Sequence, residues 1–332
     1  MRRRPLLGAL ALLIAVAGCG EREERVRPAD AEPFRVVLES SPHADHAPIY
    51  AARSARHFRD AGLGLRVRTS AAPIDQVARG RADLAVAGAP DVLRARERGL
   101  AVVAVGALVQ KPLSAIVSLP AARVGDVRDL RGKRVGTVGK GSHPALLRAI
   151  LAEAGLPPGA ARARDVGREP VPALLSGRVE ALFGVRWNYD GVLLRLRGRR
   201  PRVIRLEEAG VPSHDELVLV AGSDVLERDG GGVRAFMAAL ALGEREVRRD
   251  PGSAVRALLA ENRALDARLE RESVRVTTPL FAPPRRRPYG WQDPREWSRL
   301  RAWMTDNGLL RPGVDPREAF TNDHLPGRGL DD

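Results

Sequence analysis

Trp187-Asn188-Tyr189-Asp190 sets two aromatic rings, an amide and a carboxylate side by side. Aromatic faces stack on a flat heterocycle, and a carboxylate accepts hydrogen bonds from an exocyclic amine or a protonated ring nitrogen. The same residues read equally as the start of a helix, with the rings packed inward and Asp190 solvated in its first turn. Pro42, His43, Asp45 and His46 form a second group. Two imidazoles and a carboxylate this close suggest metal ligands, but Pro42 and a loop make it hard for both rings to face one way. A ligand-contacting histidine is the alternative, and Asp45 is equally placed to cap the following helix. No metal is assigned. Tyr50, on that helix, is added as a ligand-binding candidate. Gly139-Lys140-Gly141-Ser142-His143 precedes another helix. Its backbone N–H groups could hold an anion, with Lys140 adding charge and Ser142 a hydroxyl. A glycine-rich turn capped by Ser142 is the plainer reading, and the spacing is not that of a P-loop. His214, Asp215 and Glu216 complete the candidates.

The elements that must position these groups alternate. Strands are expected at Phe34–Glu39, Leu65–Thr69, Leu84–Gly88 and Ala101–Val109. Helices fall between them at His46–Ala61, Ile74–Gly80 and Pro90–Arg98. The pattern restarts after Leu119, with strands at Arg134–Val138, Ala163–Val166, Val179–Val185, Val203–Leu206 and Glu216–Ala221. Helices are expected at His143–Ala154, Val171–Leu175, Gly232–Arg249, Pro251–Glu261 and Asp293–Asn307. Alternation of this kind implies largely parallel sheets covered by helices, and two restarting units imply two α/β lobes. Ligands of open α/β sheets sit at the carboxyl ends of strands. That rule points to the loops at 40–46, 88–91, 110–114, 139–143 and 186–190.

The chain has 332 residues and a net charge of +14. Arginine supplies 52 of the 55 basic residues, spread among acids throughout, so the charge reflects composition rather than a nucleic-acid face. No basic strand studded with aromatic rings offers a stacking platform, and nucleic acid is not expected as a partner. Catalysis would need an activated nucleophile, and no Gly-x-Ser-x-Gly or comparable pattern is present, so no catalytic residue is assigned and no enzyme is expected. The sole cysteine, Cys19, ends a short apolar run that follows Arg2–Arg4. A basic start, a short apolar core and small residues before a cut site make a secretory signal, too short for the ~20 residues of a bilayer span. Val16-Ala17-Gly18-Cys19 resembles the lipobox of bacterial lipoproteins. The resemblance implies a signal peptide over 1–18 and a lipidated Cys19 on a flexible tether over 19–33. The chain would then be anchored outside a bacterial cytoplasmic membrane, on the periplasmic or cell-surface side. With Cys19 used for lipid, no intrachain disulfide is available.

Several segments resemble the substrate-binding proteins of ABC importers, and in particular the branch that binds pyrimidine precursors of thiamine. These are Ser41–Ala52, Gln110–Ile116, Trp187–Gly191, Gly210–Pro212 with Asp215–Val220, and Ala319–Pro326; Asp129–Gly136 is shared more widely among importer proteins. The resemblance implies a bilobed periplasmic-binding-protein-like fold whose α/β lobes are joined by two crossover strands, near Ser114–Leu119 and Glu216–Ala221. Lobe one would be 34–115 plus 219–326, lobe two 116–218, and 327–332 a tail. It further implies a monomer that closes on a small heterocycle, delivers it to a membrane permease and needs no cofactor. The ligand-binding set is then Pro42, His43, His46, Tyr50, Lys140, Ser142, Trp187, Asn188, Tyr189, Asp190, His214 and Glu216. The branch usually has Glu at the position of Asp190. It also carries an aromatic and an acidic residue after the third strand, where this chain has Ala87-Gly88-Ala89-Pro90, so a more open cleft is expected. A sulfonate- or nitrate-like anion, held by the Gly139–His143 loop, and a different heterocycle are the alternative ligands. The same fold includes eukaryotic pyrimidine synthases with a cysteine-rich motif, which this chain lacks.

Overall fold

The computed structural model describes residues 33–138, 143–167 and 170–327. Two five-stranded sheets organise the chain. The first contains β1 (Phe34–Leu38), β2 (Leu65–Thr69), β3 (Leu84–Ala87) and β4 (Val102–Val109), with β10 (Leu217–Gly222), in the order β2-β1-β3-β10-β4. The second contains β5 (Ser114–Ser118), β6 (Arg134–Thr137), β7 (Arg162–Asp165), β8 (Ala181–Arg186) and β9 (Arg202–Arg205), in the order β7-β6-β8-β5-β9. Within each sheet the βαβ-linked strands are parallel, and one strand runs against its neighbours: β10 in the first and β5 in the second. These two follow the points where the chain crosses from one sheet to the other. The fold is bilobed, with two α/β lobes joined by crossover strands.

Period-two alternation fixes both cores. In β1, Phe34, Val36 and Leu38 enter one apolar layer of the first sheet and Val37 the opposite one. In β5, Ile116 faces one layer of the second sheet while Ala115 and Val117 face the other. Helices α1 (Ala47–Ser54), α2 (His57–Asp60), α8 (Ser223–Arg249), α9 (Pro251–Glu261) and α10 (Ala267–Phe281) lie with the first layer of lobe one. Helices α3 (Pro73–Ala78), α4 (Ala89–Glu97) and α11 (Pro294–Asp306) cover its other face. In lobe two, α5 (His143–Glu153) lies on one face and α6 (Pro170–Leu175) and α7 (Asp190–Leu196) on the other.

Three elements differ from the sequence expectation. The helix expected over His46–Ala61 breaks into α1 and α2, because Arg56 adopts a left-handed conformation with φ of 67°. The helix expected from Gly232 begins at Ser223, and the backbone leaves helical values at Asp229, just before Gly230. Helix α10 has no counterpart among the expected helices. Its buried face carries Glu270, Ser273 and Thr277 beside Leu269, Val274 and Phe281, so a helical stripe exists but is half polar. Among the described residues no helix is long and apolar enough to cross a membrane. The signal segment and Cys19 lie outside the described residues.

Helices α1 and α8 approach closely because position 243 lacks a side chain. A Cβ there would lie 2.2 Å from the Pro48 carbonyl oxygen and 2.6 Å from the Ala52 Cβ. Neither is a flexible atom, so Gly243→Ala must push the helices apart. Overpacking of this kind costs about 1–3 kcal/mol. The expected outcome is a lowered urea midpoint with an unchanged slope; an unchanged midpoint would show that the helix pair yields freely.

Candidate functional site

Strand ends build the region between the lobes. β8 ends at Arg186, whose guanidinium reaches from lobe two into lobe one. One Nη donates to the Asp45 carboxylate and lies 3.0 Å from His43 Nε2; the other is 3.3 Å from Glu39 Oε1. Glu39 follows β1 and also meets His46 Nε2 at 3.1 Å. Asn188 Nδ2 donates to Asp45 Oδ1 at 2.6 Å and to Thr277 Oγ1 at 2.7 Å. Tyr189 donates its hydroxyl to Glu270 Oε1 at 2.9 Å. Asp45, His46, Asn188, Glu270 and Thr277 are all fully buried. The region is an interlobe seam of charges and amides, with α10 as its floor.

Burial sets the titration of this seam, modified by its neighbours. Burial pulls His43 down to about 4, and Arg186 and His46 add to the effect, so its ring is neutral at neutral pH. Burial alone would raise Glu39, but His46 and Arg186 hold its carboxyl well below the usual carboxylate range. Burial opposes the Arg186 charge, yet Asp45 and Glu39 more than offset it and the group is held more firmly protonated than usual. Burial pushes Glu270 up to about 7, although the Tyr189 hydrogen bond acts the other way. Tyr189 and Asp190 are likewise raised, mainly by burial.

The candidates of the second group therefore face one another. A 3-10 turn over Ala44–His46 is capped by His43, whose Nδ1 accepts from the Asp45 N–H at 3.2 Å. That turn, rather than an α-helix, brings the two imidazoles to 4.6 Å between centroids. Asp45 is not the helix cap allowed for; its carboxylate binds Arg186 and Asn188 instead. Pro42 lends only its carbonyl, to Asn262 at 3.3 Å. Tyr50 lies in the apolar core of lobe one, its hydroxyl without a hydrogen-bond partner among the described residues. Trp187 packs against the cores of both lobes. Its indole N–H donates to the Pro112 carbonyl at 3.2 Å, and the Arg205 guanidinium covers its ring at 4.4 Å. Asp190 accepts from the Arg186 N–H at 3.0 Å. Lys140 and Ser142 lie outside the described residues.

Beside the seam is an open cleft of about 790 Å³. Glu39, Gly88 and Asp91 line it from lobe one, His143 and Arg186 from lobe two, and Ser114 and Glu216 from the crossovers. Glu216 ties the crossovers together: its carboxylate accepts from the Leu113 N–H at 2.8 Å and from Ser114 Oγ at 3.2 Å. His143 donates Nδ1–H to the Val138 carbonyl at 2.7 Å, which leaves Nε2 as an acceptor when the ring is neutral. Gly184 makes room for that ring. It sits at an irregularity of β8 with φ of 77°, and a Cβ there would lie 2.7 Å from the imidazole. Asp91, in the first turn of α4, keeps 58% of its side chain accessible, and its nearest cation, Arg94, is 3.9 Å away. Desolvation between the lobes and the nearby Glu216 nonetheless raise its carboxyl. His214 lines a smaller chamber off this cleft, with Nδ1 fixed to the Pro212 carbonyl at 2.8 Å. Of the ligand-binding candidates, Glu216 lines the large cleft and His214 the chamber; Pro42, His43, His46, Tyr50, Trp187, Asn188, Tyr189 and Asp190 line neither. Sequence reasoning named His143 only as part of the Gly139–His143 loop and did not single out Glu39, Asp91 or Arg186. The stretch after β3 does supply an acid, one residue beyond Pro90. Among the described residues no group of His, Cys, Asp and Glu could hold a metal.

Residues 43–254 match the model of the family described as NMT1/THI5 like. The chain belongs to that family. Among its curated relatives is a formylaminopyrimidine-binding protein of Halalkalibacterium halodurans, 28% identical over 88% of this chain and 90% of its own length. A pyrimidine phosphate synthase of Schizosaccharomyces pombe is 22% identical over 88% of this chain and 85% of its own. The periplasmic aliphatic sulphonate-binding protein SsuA of Escherichia coli shares the fold, with a TM-score of 0.69, 18% identity and coverage of 91% of this chain and 96% of SsuA.

Two outcomes test the seam. Arg186→Met leaves Asp45 and Glu39 without their cation, and breaking a buried pair of this kind costs on the order of 3 kcal/mol. Equal stability of the variant in urea would show the seam to be incidental. Glu270, at about 7 when folded against 4.5 ordinarily, binds a proton that the unfolded chain has released. Its contribution is therefore fully present below its unfolded value and is lost as pH rises through its folded value. Glu270→Gln should gain stability over the unaltered protein by about 1–3 kcal/mol between about pH 5 and 7. A flat difference across that window would refute the raised carboxyl.

Proposed function

We propose that this chain is the extracytoplasmic substrate-binding protein of an ABC importer and that it binds an aminopyrimidine precursor of thiamine in the interlobe cleft. The observation that carries the reading is the charge balance of that cleft. Five acids line it (Glu39, Asp75, Asp91, Glu97 and Glu216) against three arginines. Arg186 is committed to Glu39 and Asp45, and Arg98 to Asp75 at 3.3 Å. Asp91 is the carboxylate with the weakest existing partner and accepts the exocyclic amine. Ser114 and the free His143 nitrogen read the remaining edge. An acidic wall repels a sulfonate or nitrate, which favours the pyrimidine over the anion alternative. The relative that binds formylaminopyrimidine supports the same choice.

The seam residues then act in closure. Arg186, Asn188 and Tyr189 leave β8 and lock onto Asp45, Thr277 and Glu270 of lobe one, so the loop with the most evident stacking residues aligns the lobes. Lobe one is taken as 34–115 plus 219–326 and lobe two as 116–218. Binding rather than catalysis is proposed, on the support of the relative that binds formylaminopyrimidine. The resemblance of Val16–Cys19 to a lipobox supports attachment to a membrane through a lipidated Cys19, and the proposed protein is a monomer that hands its ligand to a permease.

Isothermal titration with hydroxymethylpyrimidine and its formylaminomethyl relative tests the site. A charge-assisted hydrogen bond contributes about 1.5–3 kcal/mol, so Asp91→Asn should weaken binding by about tenfold or more. Unaltered affinity would remove Asp91 from the site, and a response to alkanesulfonates alone would replace the pyrimidine by an anion. For the anchor, the protein expressed in bacteria should incorporate labelled palmitate and Cys19→Ser should abolish that labelling; a variant labelled as strongly as the unaltered protein would refute lipidation at Cys19.

A further inference from the structure

The cleft continues into a side chamber of about 140 Å³. The two share a mouth formed by Gly88, Asp91, Arg94, Ser114, His143 and Glu216. Beyond that mouth the character of the wall changes. Leu146, Leu206 and Val211 come from lobe two, and Leu300, Met304 and Leu309 from lobe one. Trp303 also lines the chamber; it packs against apolar layers of both lobes, and its indole N–H donates to Glu153 of α5. The charged and polar side chains shared with the cleft gather at the mouth; of the remaining wall, His214 has Nδ1 engaged by the Pro212 carbonyl. A water needs two to four polar partners, and apolar cavities of about 150 Å³ take up benzene instead. The chamber therefore has the size and chemistry for one six-membered ring or an alkyl group of that bulk.

We infer that the ligand of this protein is longer than a bare pyrimidine: an amine-bearing heteroaromatic head seated against Asp91, extended by an apolar group that fills the side chamber. This rests on the cleft being the binding site, as proposed above. The main cleft alone exceeds the volume of a single ring, so a bare head would leave the chamber unfilled. Both lobes contribute the chamber's wall. An apolar group placed there buries surface on α5 and α11 together, so the same contact that recognises the ligand holds the lobes shut. The family's small-pyrimidine binders and this chain would then share the head site and differ in the substituent that the head carries.

A matched pair of ligands tests the inference on the unaltered protein. One is the formylaminomethyl aminopyrimidine; the other is its benzoyl counterpart, in which a phenyl ring replaces the formyl hydrogen. Isothermal titration should give the benzoyl compound an affinity higher by about tenfold or more, since a phenyl ring leaves water. Leu146→Trp, which fills the chamber, should reduce that ratio to about threefold or less. Benzoyl binding equal to or weaker than formyl binding would overturn the chamber while leaving the pyrimidine site intact. Binding of neither compound would overturn the pyrimidine reading and the extension with it.

Discussion

One guanidinium sits at the centre of the charged seam that joins the two lobes. Arg186 projects from the last residue of β8 and ends among Glu39, Asp45 and His43 of the other lobe. A charge in that position is tolerable only with its partners in place, because burial disfavours every ionised form. The surrounding structure is arranged accordingly. β1 delivers Glu39, the 3-10 turn after it delivers Asp45, and α10 supplies Thr277 and Glu270 to satisfy Asn188 and Tyr189. At the other edge Trp303 and Asn307 of lobe one meet Glu153 of lobe two. The cleft lies between these two sets of contacts, and its width is set by them.

Backbone alternation explains how one short segment serves two sides of the hinge. Along the second crossover, His214 and Glu216 turn toward the cleft and its chamber, while Asp215 turns to the reverse face. There it is buried beside Lys111 and Glu296, and burial raises its carboxyl well above the ordinary range. Glu216 also caps backbone and side-chain donors at the start of β5. A ligand that touches Glu216 thus touches both crossovers through a single side chain. Binding and hinge geometry are joined by a hydrogen-bonded path of one residue, which is the physical basis for a ligand favouring one lobe arrangement over another.

The strands and most helices were legible because period-two and helical apolar patterns survive in single stretches of sequence. The loops singled out by the strand-end rule contain Gly88, Asp91, Ser114, His143 and Arg186, so the rule found the cleft's neighbourhood. Residue type was a poorer guide within it. Trp187 and Tyr189 drew attention as aromatic rings, yet aromatic side chains carry large apolar area and also serve to weld two cores, as Trp187 does. Asp91 was read as part of a helix start, and a first-turn acid does suit a helix dipole. Nothing local reveals that this turn faces another lobe. Helix α10 escaped because Glu270, Ser273 and Thr277 occupy core-facing positions, where a sequence reading expects apolar residues. The partners of Glu270 and Thr277, Tyr189 and Asn188, lie some eighty to ninety residues away in sequence. Non-local pairing of this kind has no signature in a window.

Ionic seams of this kind specify an arrangement more than they stabilise it. Bringing Arg186, Glu39 and Asp45 out of water costs several kcal/mol per ion, of the same order as the attraction regained. The lobes are therefore registered strongly, since a misplaced lobe would strand unpaired charges. They are held together only weakly in net terms, since separation returns those charges to water. The apolar side chamber has the opposite character: it offers little orientation, but filling it yields free energy in proportion to area. The two devices are complementary. Charges set how the lobes meet, and under the proposed reading an occupant bridging Asp91, Glu216 and the chamber walls would supply the preference for their meeting.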